Sequence, residues 1–178
     1  MKVTETKLKG CFVLEPRVFE DERGYFFESF NHKAFCEAIG QQVNFVQDNQ
    51  SYSTRGVLRG LHYQKGEHAQ AKLVRVLQGR VLDVAVDLRE SSPTYGQHIS
   101  IELTGENKKQ LFIPRGFAHG FVVLSDSAHF FYKCDNYYNK ESEGTIKFDD
   151  QTLDIDWQIS KSELRVSGKD LKNSYLKV

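Results

Sequence analysis

The segment 72–88, KLVRVLQGRVLDVAVDL, constrains the fold more than any other stretch of this sequence. Apolar side chains recur at every second position on both sides of the Gln78-Gly79 pair, at Val74, Val76, Leu82, Val84 and Val86. A period of two is typical of β-strands with a buried face, and a pair that ends in glycine suits a tight turn. The segment therefore predicts two strands joined by a tight turn.

Strand character also dominates the rest of the chain. Further short stretches of this kind lie at 11–15, 25–30, 57–63, 98–103, 110–113, 119–124 and 129–134. Many short strands separated by turn residues are typical of a β-sandwich or a small barrel. The pattern predicts a mainly β protein, a jelly-roll sandwich or barrel that can enclose one small ligand.

Two short peripheral helices are predicted beside these strands. The first lies within 31–40, where Asn31 suits an N-cap, Gly40 suits the end, and apolar residues between them are spaced i, i+4. The second is predicted near 160–165, where Ser160 begins a Ser-x-x-Glu capping box.

Composition limits the class of protein and its partners. With 178 residues and 39% hydrophobic side chains, the chain can form one domain with a real core, which we assign to residues 1–178. Lys plus Arg and Asp plus Glu number 24 each, so no net charge attracts nucleic acid or an anionic membrane. We expect no nucleic acid and no membrane among its partners.

The N-terminal residues and the cysteines indicate the compartment. Residues 1–17 lack the apolar run of a signal peptide, and no apolar stretch is long enough to span a bilayer. Cys11, Cys36 and Cys134 are odd in number and form no Cys-x-x-Cys pair, which argues against a disulfide framework. We expect a cytoplasmic protein with reduced cysteines.

Three polar residues share a face with apolar neighbours on predicted strands. Lys72, His119 and Tyr132 each lie two positions from an apolar residue of the same strand, so each is expected to point inward. Taken singly, they also fit a lysine that reaches solvent, a core histidine and a hydrogen-bonded core tyrosine. Taken together, they indicate a polar cavity rather than an ordinary core.

The stretch VLRGLHYQ, residues 57–64, adds a cation and a proton-transfer group to a segment otherwise suited to a buried strand. Arg59 and His62 are three positions apart, so a regular strand would direct them to opposite faces. Gly60 lies between them, and a β-bulge at this glycine would turn both side chains into one cavity. The spacing therefore predicts a bulge at Gly60.

One hypothesis for this cavity is a metal site. Pro114-x-Gly116-x-x-His119 resembles the second motif of the cupin superfamily, in which the histidine is often a metal ligand. The first cupin motif needs two histidines one residue apart and then a carboxylate, whereas Tyr63 and Gln64 follow the only histidine in VLRGLHYQ. Two plausible ligands are fewer than a divalent metal needs, so we expect no metal and no cofactor. A metal-dependent cupin enzyme stays as the alternative.

The other hypothesis is proton abstraction next to a carbonyl group. Such a C–H is a weak acid, so the site must supply a base, a cation or donor for the enolate oxygen, and an acid that returns the proton. His62, Lys72 and Tyr132 can fill these roles. If base and acid lie on opposite faces of the substrate, the carbon centre inverts. The histidine would work best with a carboxylate partner, which the residues alone do not identify.

Five segments, in order, resemble one known family. They are FEDERGYFFESF (19–30), FVQDNQSYSTRGVLRGLHYQ (45–64), KLVRVLQGRVLDVAVDLR (72–89), FIPRGFAHGF (112–121) and YKCDNYY (132–138). The chain resembles the dTDP-4-dehydrorhamnose 3,5-epimerase (RmlC) family over nearly its whole length. The resemblance implies a cupin-like jelly roll, a homodimer with strand exchange, and cofactor-independent conversion of dTDP-4-dehydro-6-deoxy-D-glucose to dTDP-4-dehydro-L-rhamnose, in dTDP-L-rhamnose biosynthesis. Relatives with the same motifs can epimerise a single centre or act on other nucleotide-linked 4-ketosugars, which stays as a further alternative.

The resemblance also implies roles for individual residues. It implies His62 as the general base, Asp170 as its carboxylate partner, Tyr132 as the proton donor and Lys72 as the group that stabilises the enolate. The implied substrate contacts are Arg23, Glu28, Gln47, Asp48, Asn49, Arg59, Lys72, His119, Tyr138, Glu143 and Lys169, with Tyr138 stacked on the thymine ring. In the implied dimer, Arg23 and Glu28 come from the partner chain.

Overall fold

A computed structural model describes residues 1–176; Lys177 and Val178 lie outside the described part. Its elements are β1 (Lys2–Glu5), β2 (Phe12–Glu15), β3 (Phe19–Asp21), β4 (Gly24–Phe26), α1 (His32–Ile39), β5 (Gln47–Thr54), β6 (Val57–Gln64), β7 (Lys72–Gln78), β8 (Arg80–Asp87), β9 (His98–Thr104), β10 (Gln110–Ile113), β11 (Phe117–Val123), β12 (Ser127–Cys134), β13 (Glu143–Thr145) and β14 (Arg165–Val166). Short 3-10 turns lie at Gly66–His68 and Asp170–Lys172.

The strands form two large sheets and one separate hairpin. The first sheet has the order β1-β2-β10-β7-β12-β5, and the second has the order β13-β6-β11-β8-β9, with β14 parallel to β6. Strands β3 and β4 form a two-stranded sheet of their own. The prediction of a mainly β sandwich is confirmed.

The turn at Gln78-Gly79 connects the two sheets. Gly79 has a φ of 83°, and a Cβ atom there would lie 2.1 Å from the carbonyl oxygen of Ser127, so only glycine fits. The two predicted strands and their tight turn are confirmed. However, β7 and β8 belong to different sheets and do not pair with each other.

Strand β8 is buried on both faces. Val81 and Ala85 pack in the core between the sheets, whereas Leu82 packs on the opposite face against residues that include Leu153 and Trp157. The C-terminal region thus covers the outer side of the second sheet. The apolar side chains on both faces of β8 are thus removed from water, which stabilises the strand and makes it a rigid support for its neighbours.

The first predicted helix is confirmed. Asn31 Oδ1 accepts a hydrogen bond from Ala34 N at 3.1 Å, and Gly40 ends the helix in the left-handed region with a φ of 70°. Phe35 and Ile39 are buried against the first sheet. Within the described residues no helix is long and apolar enough to cross a membrane.

The second predicted helix is wrong. Ser160 Oγ donates to Glu163 Oε2 at 2.8 Å instead of capping a backbone N–H, and residues 161–163 form only a turn. The backbone N–H of Arg165 donates to Gly56 O at 2.8 Å, which places the following residues in β14 beside β6. Pairing with an open strand edge satisfies these backbone groups in place of a helix.

Several of the other strand assignments also differ from the prediction, and β1, β3 and β13 lie outside every predicted strand. The stretch 25–30 forms a strand only to Phe26, because the chain then turns toward the N-cap of α1 and Phe30 packs on Phe35 and Phe45. Strand β5, QDNQSYST, was not predicted at all, since its alternate residues are polar on both faces.

Candidate active site

The pairing of β6 with β11 contains an irregularity at the predicted position. His62 lies opposite His119, and Arg59 lies opposite Phe121, so two residues of β6 face the single residue Gly120 of β11. This two-to-one arrangement is a β-bulge. It cancels the odd spacing of Arg59 and His62, and both side chains face the same cavity. The predicted bulge is confirmed.

Gly60 permits this bulge because of its backbone and its surroundings. Its φ is 127°, a conformation that L side chains rarely adopt. A Cβ atom at this position would lie 2.6 Å from Gly120 Cα and 2.8 Å from the carbonyl oxygen of His119. The two strands therefore approach each other more closely than any side chain at Gly60 would allow.

A cavity of about 570 Å³ lies between the two sheets at this edge. Its volume is in the usual range for a small-molecule site. The predicted site residues that line it are Asn49, Arg59, His62, Lys72, His119, Tyr132, Lys169 and Asp170. Residues from six separate segments of the chain thus meet in one space.

The imidazole of His62 is held by a buried carboxylate. His62 Nε2 donates to Asp170 Oδ1 at 2.6 Å, and Asp170 is only 4% exposed. The backbone N–H of Asp170 in turn donates to Ser167 Oγ at 3.0 Å. With Nε2 bound to the carboxylate, Nδ1 is the ring nitrogen left to take a proton, and the carboxylate stabilises the imidazolium that forms.

Lys72 and Tyr132 lie on the opposite wall, on β7 and β12 of the first sheet. Burial raises the pKa of Tyr132 above its ordinary value, so its phenol keeps its proton at neutral pH. Burial lowers the pKa of Lys72, and the nearby Cys134, Asp83 and Glu143 partly oppose that shift. Lys72 Nζ lies 5.8 Å from the centre of the Tyr132 ring.

Asp83 is a site residue that sequence reasoning missed. Its Oδ2 accepts a hydrogen bond from His119 Nε2 at 2.9 Å, and Asp83 is fully buried. The ring of His119 stacks on Phe130 with 6.0 Å between centroids, which fixes it from the other side. The sequence feature that could have identified it is a carboxylate within VLDVAVDL, on the strand face opposite to that of Leu82 and Val84.

A chain of hydrogen bonds runs along one rim of the cavity. Lys169 Nζ donates to Glu143 at 2.7 Å, and Tyr138 Oη donates to Glu143 Oε2 at 3.3 Å. Gln47 accepts from the Tyr138 backbone N–H at 3.3 Å and donates to Asn49 Oδ1 at 3.1 Å. Although burial opposes it, the hydrogen bond from Lys169 holds the pKa of Glu143 below its usual value. Gln47, Tyr138 and Glu143 therefore adjoin the cavity through its lining residues.

Three predicted substrate contacts lie elsewhere in this chain. Arg23 is exposed in the β3–β4 turn and pairs with Asp21 at 2.5 Å. Glu28 borders a separate pocket near α1. Asp48 does not line the cavity and pairs with Lys133 at 2.9 Å. Arg23, Glu28 and Asp48 are thus not brought together with His62 within one chain.

The side chains that line the cavity are mostly nitrogen donors and hydroxyl groups. Among the described residues no three histidine, cysteine, aspartate or glutamate side chains converge as metal ligands. The two histidines of the site are each bound to a carboxylate, an arrangement that orients imidazole for proton transfer. The geometry is that of an acid–base site with cations beside it.

Comparison with known proteins identifies the family. The family model for dTDP-4-dehydrorhamnose 3,5-epimerase matches residues 5–177.

The chain belongs to the dTDP-4-dehydrorhamnose 3,5-epimerase family.

Individual members of the family are similar over almost the whole chain. The dTDP-4-dehydrorhamnose 3,5-epimerase of Salmonella typhimurium is 54% identical over 170 residues, which cover 96% of this chain and 92% of that protein. The dTDP-4-dehydrorhamnose 3,5-epimerase from Elizabethkingia anophelis, known from a crystal structure, is 60% identical in sequence. Its structure matches this one with a TM-score of 0.95, and the match covers 98% of this chain and 96% of the Elizabethkingia chain.

A third relative is known with a ligand. The dTDP-6-deoxy-D-glucose-3,5-epimerase of Legionella pneumophila, in complex with dTDP-4-keto-L-rhamnose, is 49% identical with a TM-score of 0.94. The match covers 98% of this chain and 92% of the Legionella chain. These epimerases have the cupin-type fold, so the predicted fold class is confirmed.

Proposed function

We propose that this chain epimerises C3 and C5 of dTDP-4-dehydro-6-deoxy-D-glucose, without a cofactor, to give dTDP-4-dehydro-L-rhamnose. Membership of the family and the sugar nucleotide held by the Legionella relative support the substrate. The observation that carries the proposal is that His62 and Tyr132 lie on facing sheets at one cavity. A base and an acid on opposite sides of a sugar ring are what inversion of a carbon centre requires.

His62 begins the reaction. Its Nδ1 takes the proton from C3 or C5, both of which flank the C4 ketone, and the electrons of that C–H bond form the enolate. Asp170, 2.6 Å from Nε2, stabilises the positive imidazolium and keeps the ring in one orientation. The pair thus allows the weakly acidic C–H bond to lose its proton at neutral pH.

Lys72 stabilises the negative charge that develops on the C4 oxygen. It lines the cavity, and no hydrogen bond or ion pair to another described residue engages its ammonium group. A charge held in a poorly hydrated site interacts strongly with an enolate and needs little reorganisation when the charge forms. Its position beside the Tyr132 ring brings the oxyanion and the acid to the same wall.

Tyr132 completes the inversion. Its phenol donates a proton to the enolate carbon from the face opposite His62, and the C4 ketone forms again. Its raised pKa keeps the proton available until the enolate needs it. Exchange with solvent then reprotonates the tyrosinate and removes the proton from the imidazolium, which restores the site.

The nucleotide part of the substrate is assigned to the rim. In this proposal Arg59 binds the diphosphate, Tyr138 stacks on the thymine ring, and His119, Gln47, Asp48, Asn49, Glu143 and Lys169 make the remaining contacts from this chain. Arg59 Nε donates to Ser53 Oγ at 3.1 Å, which leaves the forked end of its guanidinium for phosphate oxygens.

A homodimer with strand exchange is part of the proposal. The β3–β4 hairpin pairs with no other described strand, and its residues Phe19, Tyr25 and Phe26 are 51%, 58% and 70% exposed. Exposed aromatic side chains on a hairpin of this kind suit burial against a second copy. In this arrangement Arg23 and Glu28 contact the substrate held by the partner chain. The free thiols fit the proposed cytoplasmic location.

Proton NMR of the purified 4-ketosugar in D₂O tests the reaction. With a chelator present, we expect deuterium at both C3 and C5 and the L-rhamno product. The His62→Ala variant should lose exchange at both positions, whereas His68→Ala, which removes a histidine outside the cavity, should keep it. Exchange at one position would identify a single-centre epimerase, and exchange that needs an added divalent ion would favour a metal-dependent enzyme.

A further inference from the structure

We propose that Arg165 is a further substrate-binding residue, whose guanidinium binds the diphosphate of the nucleotide sugar together with Arg59. The inference rests on the proposed function for the nature of the ligand. None of the sequence motifs includes Arg165, and the structure places it on the wall of the catalytic cavity.

The backbone of Arg165 is fixed against the strand that carries the catalytic histidine. Arg165 pairs with Val57 of β6, and its N–H donates to Gly56 O at 2.8 Å. A Cβ atom at Gly56 would lie 2.0 Å from the carbonyl oxygen of Glu163, so the two segments are in direct backbone contact. The position of Arg165 relative to β6 is therefore set by the fold and not by a loose loop.

Alternation along β14 directs the side chain of Arg165 to the cavity. Val166 packs into the apolar cluster on the outer side of the second sheet, whereas Arg165 and Ser167 line the catalytic cavity. A strand has a period of two, so this division is the expected one. Arg165 and Ser167 continue the wall that ends in Lys169 and Asp170.

The guanidinium groups of Arg165 and Arg59 reach the same end of β5. An Nη atom of Arg165 lies 3.5 Å from Thr54 Oγ1, and Arg59 Nε lies 3.1 Å from Ser53 Oγ. Ser53 and Thr54 are consecutive residues. Two arginines from different strands thus converge on one part of the cavity edge.

These two charges lack carboxylate partners. Among the described residues neither Arg59 nor Arg165 forms an ion pair, and Glu163, the nearest acid in sequence to Arg165, is bound to Arg55 at 3.1 Å. The carboxylate that lines the cavity, Asp170, is bound to His62. A cavity edge with two uncompensated guanidiniums suits a ligand with two adjacent negative charges.

The diphosphate is the part of the proposed substrate with that charge. Guanidinium presents a planar fork of N–H donors that matches phosphate oxygens, and two such forks can hold both phosphates at once. The chemistry step involves the 4-ketosugar and not the diphosphate. Arg165 is accordingly expected to contribute to binding and to leave the rate of the bound complex unchanged.

Calorimetric titration with dTDP tests the inference on three variants. Arg165→Gln should bind dTDP about ten-fold more weakly than wild type, the loss expected for one charge-assisted hydrogen-bond contact. Arg165→Lys, which keeps the charge but not the fork, should lose less. Lys161→Gln removes one positive charge from the same segment outside this cavity, and it should bind dTDP as wild type does.

Two more measurements separate a diphosphate contact from damage to the fold. Binding of thymidine, followed by NMR, should be equal in Arg165→Gln and wild type, because thymidine has no phosphate. Steady-state kinetics should show a raised KM with kcat unchanged. Wild-type affinity for dTDP in Arg165→Gln, or an equal loss of dTDP and thymidine affinity, overturns the inference. Failure of the proposed function can be told apart from failure of this inference, because the wild-type protein would then not epimerise the 4-ketosugar.

Discussion

Replacement of Gly60 by alanine tests whether the bulge in β6 positions the proposed catalytic side chains. A non-glycine residue at a φ of 127° costs about 1–3 kcal/mol of backbone strain. The added Cβ would lie 2.6 Å from Gly120 Cα and 2.8 Å from His119 O, and backbone atoms cannot avoid it by a change of rotamer. Overpacking of this kind costs about 1–3 kcal/mol more.

The two costs together amount to about 4 kcal/mol of unfolding free energy. For a chain of this size each kcal/mol lowers the Tm by about 2–4 °C, so the expected fall is about 8–16 °C. Gly24→Ala is the matched control. Gly24 has a φ of 126° with no atom within 4 Å of the added Cβ, so this variant has the backbone cost alone, about 2 kcal/mol.

Differential scanning fluorimetry and the NMR exchange assay measure both consequences. Relief of the contact must separate β6 from β11, which moves Arg59 relative to His62. Misplacement of a reacting group by about 1 Å costs on the order of 10²-fold in rate, so folded Gly60→Ala should be slower by about that factor. The reasoning would be refuted if Gly60→Ala had the same Tm as Gly24→Ala and epimerised the 4-ketosugar at the wild-type rate.

Three further predictions concern the proposed catalytic groups themselves. Asp170→Asn removes the charge that stabilises the His62 imidazolium, and kcat should fall by about 10²–10⁴ with dTDP affinity unchanged; activity within ten-fold of wild type would contradict this. Tyr132→Phe should still incorporate solvent deuterium but invert fewer centres, as NMR of the recovered sugar would show, and an equal loss of exchange and inversion would argue against Tyr132 as the acid. Lys72 carries its charge only when protonated, and its pKa is lowered. We therefore expect kcat/KM to fall with rising pH already below pH 10.5, the ordinary pKa of lysine. Lys72→Arg should move this fall in kcat/KM to higher pH. A fall at an unchanged pH would argue against Lys72 as the group that stabilises the enolate.

The sandwich and part of the site followed from local patterns. Period-two alternation located most of the long strands, and Asn31 and Gly40 located the helix, because strand faces and helix caps depend on neighbouring residues. The odd spacing of Arg59 and His62 around Gly60 located the bulge. Here a local conflict between polarity and alternation was itself the signal.

Other parts of the site depended on contacts distant in sequence. Asp170 lies 108 positions from His62, and nothing in its own surroundings marks it as the partner of a histidine. Its role came from the family resemblance. Asp83 was missed because β8 is buried on both faces, so the sequence pattern does not show which face points between the sheets toward His119. Arg165 was missed because its strand forms only by pairing with β6.

The capping box at Ser160 failed for a related reason. Ser160 Oγ donates to Glu163 Oε2 at 2.8 Å and does not accept from the Glu163 backbone N–H as the N-cap of a capping box would. Helix formation also needs an apolar face to bury, and the segment gains more from strand pairing with β6. Local propensity was thus overridden by an open strand edge elsewhere in the fold.

The hydrogen bond between His62 and Asp170 joins residues that are 108 positions apart. Strands β1 to β13, with His62, Lys72 and Tyr132 among them, precede the segment that carries Asp170. That segment is attached to β6 by the pairing of β14 and by the backbone hydrogen bond from Arg165 to Gly56. A proteolytic cut in the turn at 161–163 would therefore interrupt none of the strands β1 to β13, yet it would separate the carboxylate from the proposed base in sequence and leave their contact dependent on β14 alone.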